Sequence, residues 1–292
     1  MVSIDQLEAL DYLIWLGSGE AAGERLKRTQ STISRQSGDC ARIFRLQLKK
    51  ENRSWSTKGN GYLLDLERSV HQLARLQGLR KIRVEINPWD QELLNPQGLT
   101  ELELGYCGDG RPRRALELLK NRVVDAYFTR FGASLQELSK SETNIQIIPL
   151  ASFQIGAMAP KHLAEASNAD WTVNALKKHQ LINWEQGVLP RLEQQLSTLG
   201  LWRGGATPTR GDILVHWEQS AKDGHLITFD KLIPATLNRQ LSRLNLELGC
   251  KGSWGLAMLK DPQNSDICDQ LCAHLQVALN DAKHHFPSLT VI

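Results

Sequence analysis

Residues Glu20 to Gln36 read EAAGERLKRTQSTISRQ, and the spacing within this stretch predicts a helix-turn-helix. Ala21, Ala22 and Leu26 stand close enough in angle to share one buried face of a short helix. The two alanines let a second helix cross at close range. Lys27 and Arg28 end that helix, where its negative pole favours cations. Thr29 suits the N-cap of the next helix, its hydroxyl accepting from a backbone N–H two or three residues on. The run that follows turns Ile33 inward and Gln30, Ser31, Ser34 and Arg35 outward, with Thr32 among the candidate contacts. Gln and Arg pair bidentately with adenine and guanine edges in a major groove, so this turn has the chemistry of a recognition helix. Gly38 then follows Ser37. A helix-interior glycine costs about 0.5–1 kcal/mol relative to alanine, so the helix is expected to fray early, beyond Gln36.

Working outward, Ser3-Ile-Asp-Gln6 is a capping box that opens a first helix, with Leu7, Leu10 and Ile14 on its apolar side. Gly17-Ser18-Gly19 separates it from the second. Downstream, Arg53-Ser-Trp-Ser-Thr57 alternates and ends at Gly59 and Gly61, which reads as a small β wing with Trp55 packed beneath it. From Tyr62 to Gln77, Leu63, Leu66, Val70 and Leu73 form a heptad seam, with Asp65, Glu67, Arg68 and Arg75 outside it. The seam is read as a dimerising linker helix; a helix packed inside its own chain is the plainer alternative. Gly78 stops it.

Beyond Gly78 the texture becomes α/β. Lys81–Ile86 alternates as a strand, Leu102–Gly105 and Val123–Thr129 read as the next two, and a helix at Arg111–Asn121 starts at Pro112. Strands follow at Ile145–Leu150, Phe153–Met158, near Ala206, and at His225–Phe229 and Trp254–Leu259. Helices are expected at Val173–Lys178, Arg191–Leu199, Asp212–Lys222 and Ser265 to about His284. This alternation implies mainly parallel sheets covered on both faces, in two halves with a cleft between them.

At 292 residues the chain is long enough for two or three compact units. Its net charge of +3 is too small to specify a partner, but Arg25 to Lys58 holds ten Lys or Arg against two acids, a local balance of +8. On a helix-turn-helix pattern, that run points to phosphate contact. No apolar stretch approaches the roughly 20 residues of a membrane span. Asp5, Glu8 and Asp11 stand where a signal peptide carries positive charge, so a cytoplasmic protein is expected. Five cysteines without framework spacing fit reduced thiols. Cys268, Cys272 and His274 can be drawn as metal ligands, but cysteine is more often a small buried hydrophobe, and no metal is expected. Gly105-Tyr-Cys-Gly108-Asp-Gly110 has the wrong order for a pyrophosphate loop. No nucleotide loop, nucleophile elbow or zinc helix occurs, so neither an enzyme nor a cofactor is expected.

With recognition helix, wing, linker helix and α/β remainder in this order, the chain resembles the LysR-type transcriptional regulators. Ala21-Ala22, Leu26, Thr29-Gln30-Ser31, Ser34-Arg35-Gln36 and Thr57 carry the likeness at the N-terminus. Further on, Leu116 to Asp125 is similar to the family's helix-to-strand segment ending in aspartate. Ala159-Pro-Lys-His162-Leu-Ala164 looks like its P-K-x-H-P-L-A turn, and Ala221-Lys-Asp-Gly224 like its V-A-A-G-x-G-I-A stretch. The resemblance implies an α/β protein with an N-terminal, all-α winged helix-turn-helix and a two-lobed periplasmic-binding-protein-like effector domain of type 2. The expected divisions are a DNA-binding domain at 1–61, a linker helix at 62–78 and an effector domain at 79–292. Lobe I then takes about 79–150 plus 250–292, and lobe II about 151–249.

The expected partners are double-stranded DNA, a small-molecule effector and further copies of the chain, as a homodimer or homotetramer. Gln30, Ser31, Thr32, Ser34 and Arg35 would face bases, and Arg28, Arg42, Arg53 and Lys58 would reach phosphates. Asn87, Thr129, Arg130 and Thr209, at element ends facing the expected cleft, would bind the effector. Helix N-termini there favour a small anion. Where the family carries a small hydroxyl residue after the first strand, this chain has Asn87-Pro88-Trp89. Together with Ser37 and Gly38, this leaves one alternative, a divergent small-molecule-binding module with weakened or lost DNA binding.

Overall fold

The computed structural model describes residues 2–51, 54–86, 88–91, 94, 100–107, 112–130, 143–166, 171–179, 181–182, 190–202, 226–227, 241–260, 265–283 and 289–292. The expected strand near Ala206, the helix at Asp212–Lys222 and the Ala221–Gly224 motif lie outside these residues.

Helix α1 (Ile4–Leu16) begins at the expected capping box, with Ser3 and Gln6 each bonding the other's backbone. It ends at Gly17, whose φ of 75° is the left-handed conformation glycine adopts freely. Ser18 caps α2 (Gly19–Leu26) by accepting from the Ala21 N–H. Helix α3 runs from Gln30 to Ile43. The expectation that it frays early, beyond Gln36, is therefore corrected. Ser37 is buried and donates its hydroxyl to the Ile33 carbonyl at 2.7 Å, while Cys40 and Ala41 extend the buried face for another turn. The buried contacts of that last turn offset the propensity cost of Gly38. The wing is an antiparallel pair, β1 (Gln47–Glu51) and β2 (Ser54–Lys58), in a register that puts Lys50 opposite Trp55.

Helix α4 (Tyr62–Leu76) turns its polar side inward. Leu64, Arg68, Gln72, Arg75 and Leu76 are buried, whereas the predicted seam is exposed, with Leu63 at 62% and Val70 at 66%. Arg68 and Arg75 are buried because each meets a carboxylate: Arg68 donates to Asp11 at 2.8 Å, and Arg75 grips both oxygens of Asp125 at 2.7 and 2.8 Å.

The α/β part contributes β3 (Ile82–Ile86), α5 (Pro88–Gln91), β4 (Leu102–Gly105), α6 (Pro112–Lys120), β5 (Ala126–Arg130) and β6 (Ile145–Ile155). There follow β7 (Met158–Pro160), α7 (Lys161–Ala166), α8 (Val173–Leu176), β8 (Leu181–Ile182), α9 (Pro190–Thr198) and β9 (Leu226–Ile227). The chain continues through β10 (Leu241–Arg243), β11 (Cys250–Leu259), α10 (Ser265–Ala282) and β12 (Thr290–Val291). One sheet has the order β12-β6-β11-β5-β3-β4 and another the order β10-β7-β9-β8. The strands expected at Ile145–Leu150 and at the start of Phe153–Met158 are one long strand, β6.

The sheets are also less uniformly parallel than the strand–helix alternation suggests. Pairs β3–β4 and β8–β9 are parallel, but β12–β6, β10–β7 and β7–β9 are antiparallel. Antiparallel pairing requires no helical crossover, so returning segments such as β10 and β12 can enter a sheet this way.

By compactness the chain forms two units. Unit 1 comprises Met1–Asn87, Thr100–Tyr127 and Met258–Ile267; unit 2 comprises Pro88–Leu99, Phe128–Ala257 and Cys268–Ile292. In unit 1 both faces of β3 are covered, so Arg83 and Glu85 are as buried as Val84 and Ile86. In unit 2, Trp254 packs on Phe153 at 4.1 Å and donates its indole N–H to Asp90 at 2.9 Å. Gly252 is required there, because a Cβ would lie 2.2 Å from the Phe153 ring. All five cysteines are free and buried, and among the described residues no helix is long and apolar enough to cross a membrane.

Candidate nucleic-acid interface

The turn between α2 and α3 is built on two backbone requirements. Lys27 adopts φ 54°, ψ 45°, and the Arg28 N–H closes back on the Gly23 carbonyl at 2.8 Å. Gly23 permits this: a Cβ on residue 23 would sit 2.5 Å from the Arg28 carbonyl oxygen. The motif Glu20–Gln36 showed the helices but not this glycine, because the close approach comes from the turn rather than from the helix containing it. Thr29 then caps α3 by accepting from the Thr32 N–H at 3.2 Å, and its hydroxyl lies 2.9 Å from those of both Ser31 and Thr32.

With Ile33 fully buried beneath, Gln30, Ser31, Ser34 and Arg35 are exposed on α3. Gln30 packs its stem against Gly19. Arg35 has no side-chain partner among the described residues. Thr32 is half-buried at the cap.

The expected phosphate contacts are placed differently from one another. Arg28 is engaged by α1, donating to the carbonyl and carboxylate of Asp5 at 3.0 and 2.8 Å and to Gln36 at 3.2 Å. Arg42 is exposed and paired with Asp39 one turn earlier at 2.7 Å. Lys58 pairs across the wing with Glu51 at 2.6 Å, and that hydrogen bond holds the exposed Glu51 carboxyl below its usual range. Arg53 lies outside the described residues. Lys27, Arg45, Lys49 and Lys50 are further exposed cations on the same segment, the last three signalled in the sequence only by its local charge balance. Lys50 stands over the Trp55 ring at 5.4 Å.

Of the four expected effector contacts, Asn87 and Thr209 lie outside the described residues. Thr129 is buried on β5, and Arg130 ends that strand, its side chain also outside them. The described residues do not bring these four together.

A winged helix-turn-helix, a linking helix and an α/β part with two sheets follow one another along the chain. The chain has the fold of the full-length LysR-type regulators. CbnR, a LysR-family transcriptional regulator, is 15% identical, with 94% of this chain and 98% of CbnR covered at a TM-score of 0.51. Full-length CbnR complexed with its target DNA gives the same TM-score and coverage at 14% identity. A Corynebacterium glutamicum OxyR variant with hydrogen peroxide bound is 16% identical over 97% of this chain and 94% of that one, with a TM-score of 0.52. No family model and no curated protein matches the sequence.

Proposed function

We propose that this chain is a sequence-specific, double-stranded-DNA-binding transcriptional regulator of LysR type. The observation that carries the reading is α3: a capped 14-residue helix whose inner side is buried and whose exposed side offers Gln30, Ser31, Ser34 and Arg35. These side chains match the donors and acceptors of a major groove. Arg42 and Lys58 exchange Asp39 and Glu51 for phosphates on binding, and Arg28 stays with α1. Continuity of α3 through Ser37 and Gly38 favours this reading over a module that has lost DNA binding. Comparison with CbnR supports it, since that regulator has been seen on its target DNA with the same fold.

The exposed stripe Tyr62, Leu63, Leu66, Val70 and Leu73 on a helix whose polar side is buried suits a second copy of the chain, giving a dimer or tetramer of two-headed DNA binders. The α/β domain takes a small, anionic effector, with Thr129 and Arg130 on β5 as its described candidates and Asn87 and Thr209 as the others. No catalytic step is part of this function.

The test is selection of genomic fragments by the purified chain, followed by salt titration of the recovered sites. Recovery of a shared motif with affinity falling steeply in salt is expected. Recovery without a motif, or salt-independent binding, would count against it.

A further inference from the structure

Within unit 1 the reading head is bound to the α/β elements by buried polar groups as well as by chain connection. Trp15, near the end of α1, is fully buried and rests on Gly105 at the end of β4, where a Cβ would come within 2.5 Å of the indole ring. Its Nε1 donates to Glu85 Oε2 at 2.6 Å, and the other Glu85 oxygen accepts from the Cys107 backbone at 3.0 Å. Arg114 of α6 donates to the carbonyls of Ile14 at 3.0 Å and Trp55 at 2.8 Å, holding both the end of α1 and the wing. Arg25 of α2 donates to the Leu104 carbonyl at 2.9 Å.

Deeper in the unit, Asp11 of α1 accepts from Arg68 at 2.8 Å and from Arg83 of β3 at 3.2 Å, and the Arg83 guanidinium lies over the Tyr12 ring at 4.5 Å. Burial alone would pull the Arg83 guanidinium down, but Tyr12, Asp11, Asp125 and Glu103 hold it above its usual range. A buried carboxylate or guanidinium is tolerated only while its partner stays in place; separating the head would strand several at once.

We propose that the winged helix-turn-helix is latched to β3, β4 and α6 of its own chain as one rigid body, with Trp15 seated on Gly105 as the latch. A displacement of β3 or β4 is then delivered to α1 and α3 directly, and does not pass through α4 alone. The inference concerns the free chain and stands apart from the DNA-binding reading.

Nitroxide labels on Ser31→Cys and Arg113→Cys, both exposed and both in unit 1, test it by electron–electron dipolar distance measurement in the full chain. The five natural cysteines are buried and escape labelling in the folded protein. Labelled chain is diluted into excess unlabelled chain so that distances within one copy are read. One narrow distance is expected. Gly105→Ala, which unseats Trp15, broadens it at least twofold, whereas Gly38→Ala, whose Cβ meets nothing within 4 Å, leaves it narrow. Arg114→Ala removes the second clamp without adding an atom and broadens the distribution too, which keeps the test open if Gly105→Ala fails to fold. A broad distribution in the parent overturns the proposal, as does a narrow one in both variants.

Discussion

Replacing Glu85 with Gln should flatten the pH dependence of stability. Burial is the main reason the Glu85 carboxyl is pushed up to about 7 from an ordinary 4.5; the Cys107 and Trp15 hydrogen bonds and Arg114 favour the charged form but do not offset it. At about 1.4 kcal/mol per tenfold change in proton affinity, the displacement corresponds to roughly 3 kcal/mol. The folded carboxyl binds its proton more tightly than the unfolded one. Its contribution is therefore complete below about pH 4.5 and is lost as pH rises to about 7. The amide in the Glu85→Gln variant has no proton to lose. It offers one acceptor to two donors, a loss that does not vary with pH. The stability difference between parent and Glu85→Gln should therefore shift by about 2–3 kcal/mol in favour of the variant between about pH 5 and about pH 8. Urea unfolding of both proteins across that range measures it. Parallel pH profiles would show that burial of Glu85 does not govern its proton.

Three further outcomes follow from the same packing. Gly23→Ala forces a Cβ to within 2.5 Å of a backbone oxygen and should cost about 1–3 kcal/mol, while Gly38→Ala, in open space inside α3, should gain about 0.5–1 kcal/mol; thermal unfolding of the two separates them by sign. Asp125→Ala leaves Arg75 buried without its bidentate partner and should cost about 3–5 kcal/mol in urea unfolding, and a loss under about 1 kcal/mol would contradict the arrangement. Leu63→Glu combined with Val70→Glu puts charge on the exposed stripe of α4 and should yield monomers in sedimentation; assemblies unchanged in size would place the interface elsewhere.

How much of this was legible in the sequence depended on whether the cause was local. The capping box at Ser3, the Thr29 cap, the inward Ile33 and the α4 seam are written in neighbouring residues, and each appears where the spacing put it. Gly23 and Ser37 were not legible in their roles: one answers to a backbone oxygen across a turn, and the other bonds back to the helix that seemed weakened by it. The same holds for Arg83 and Glu85. Alternation on β3 gave the strand, but only Asp11, Trp15 and Asp125, brought from distant positions, explain why its charged side is buried as well. Asp125 itself stood out through the family resemblance, and its partners Arg75 and Gln72 through nothing in the linear pattern. Of the candidate site, the exposure of Gln30, Ser31, Ser34 and Arg35 on α3 was readable from helical phase. The engagement of Arg28 with Asp5 was not, because it depends on how α1 packs.

Whether α3 reads base edges is decided by comparing parent and Arg35→Ala on a selected site and on the same site with single base-pair changes, at one salt concentration. The variant should lose about 1–3 kcal/mol of discrimination at one base pair while keeping its nonspecific affinity. Equal discrimination by parent and variant at every position would contradict the assignment of α3 as the reading helix.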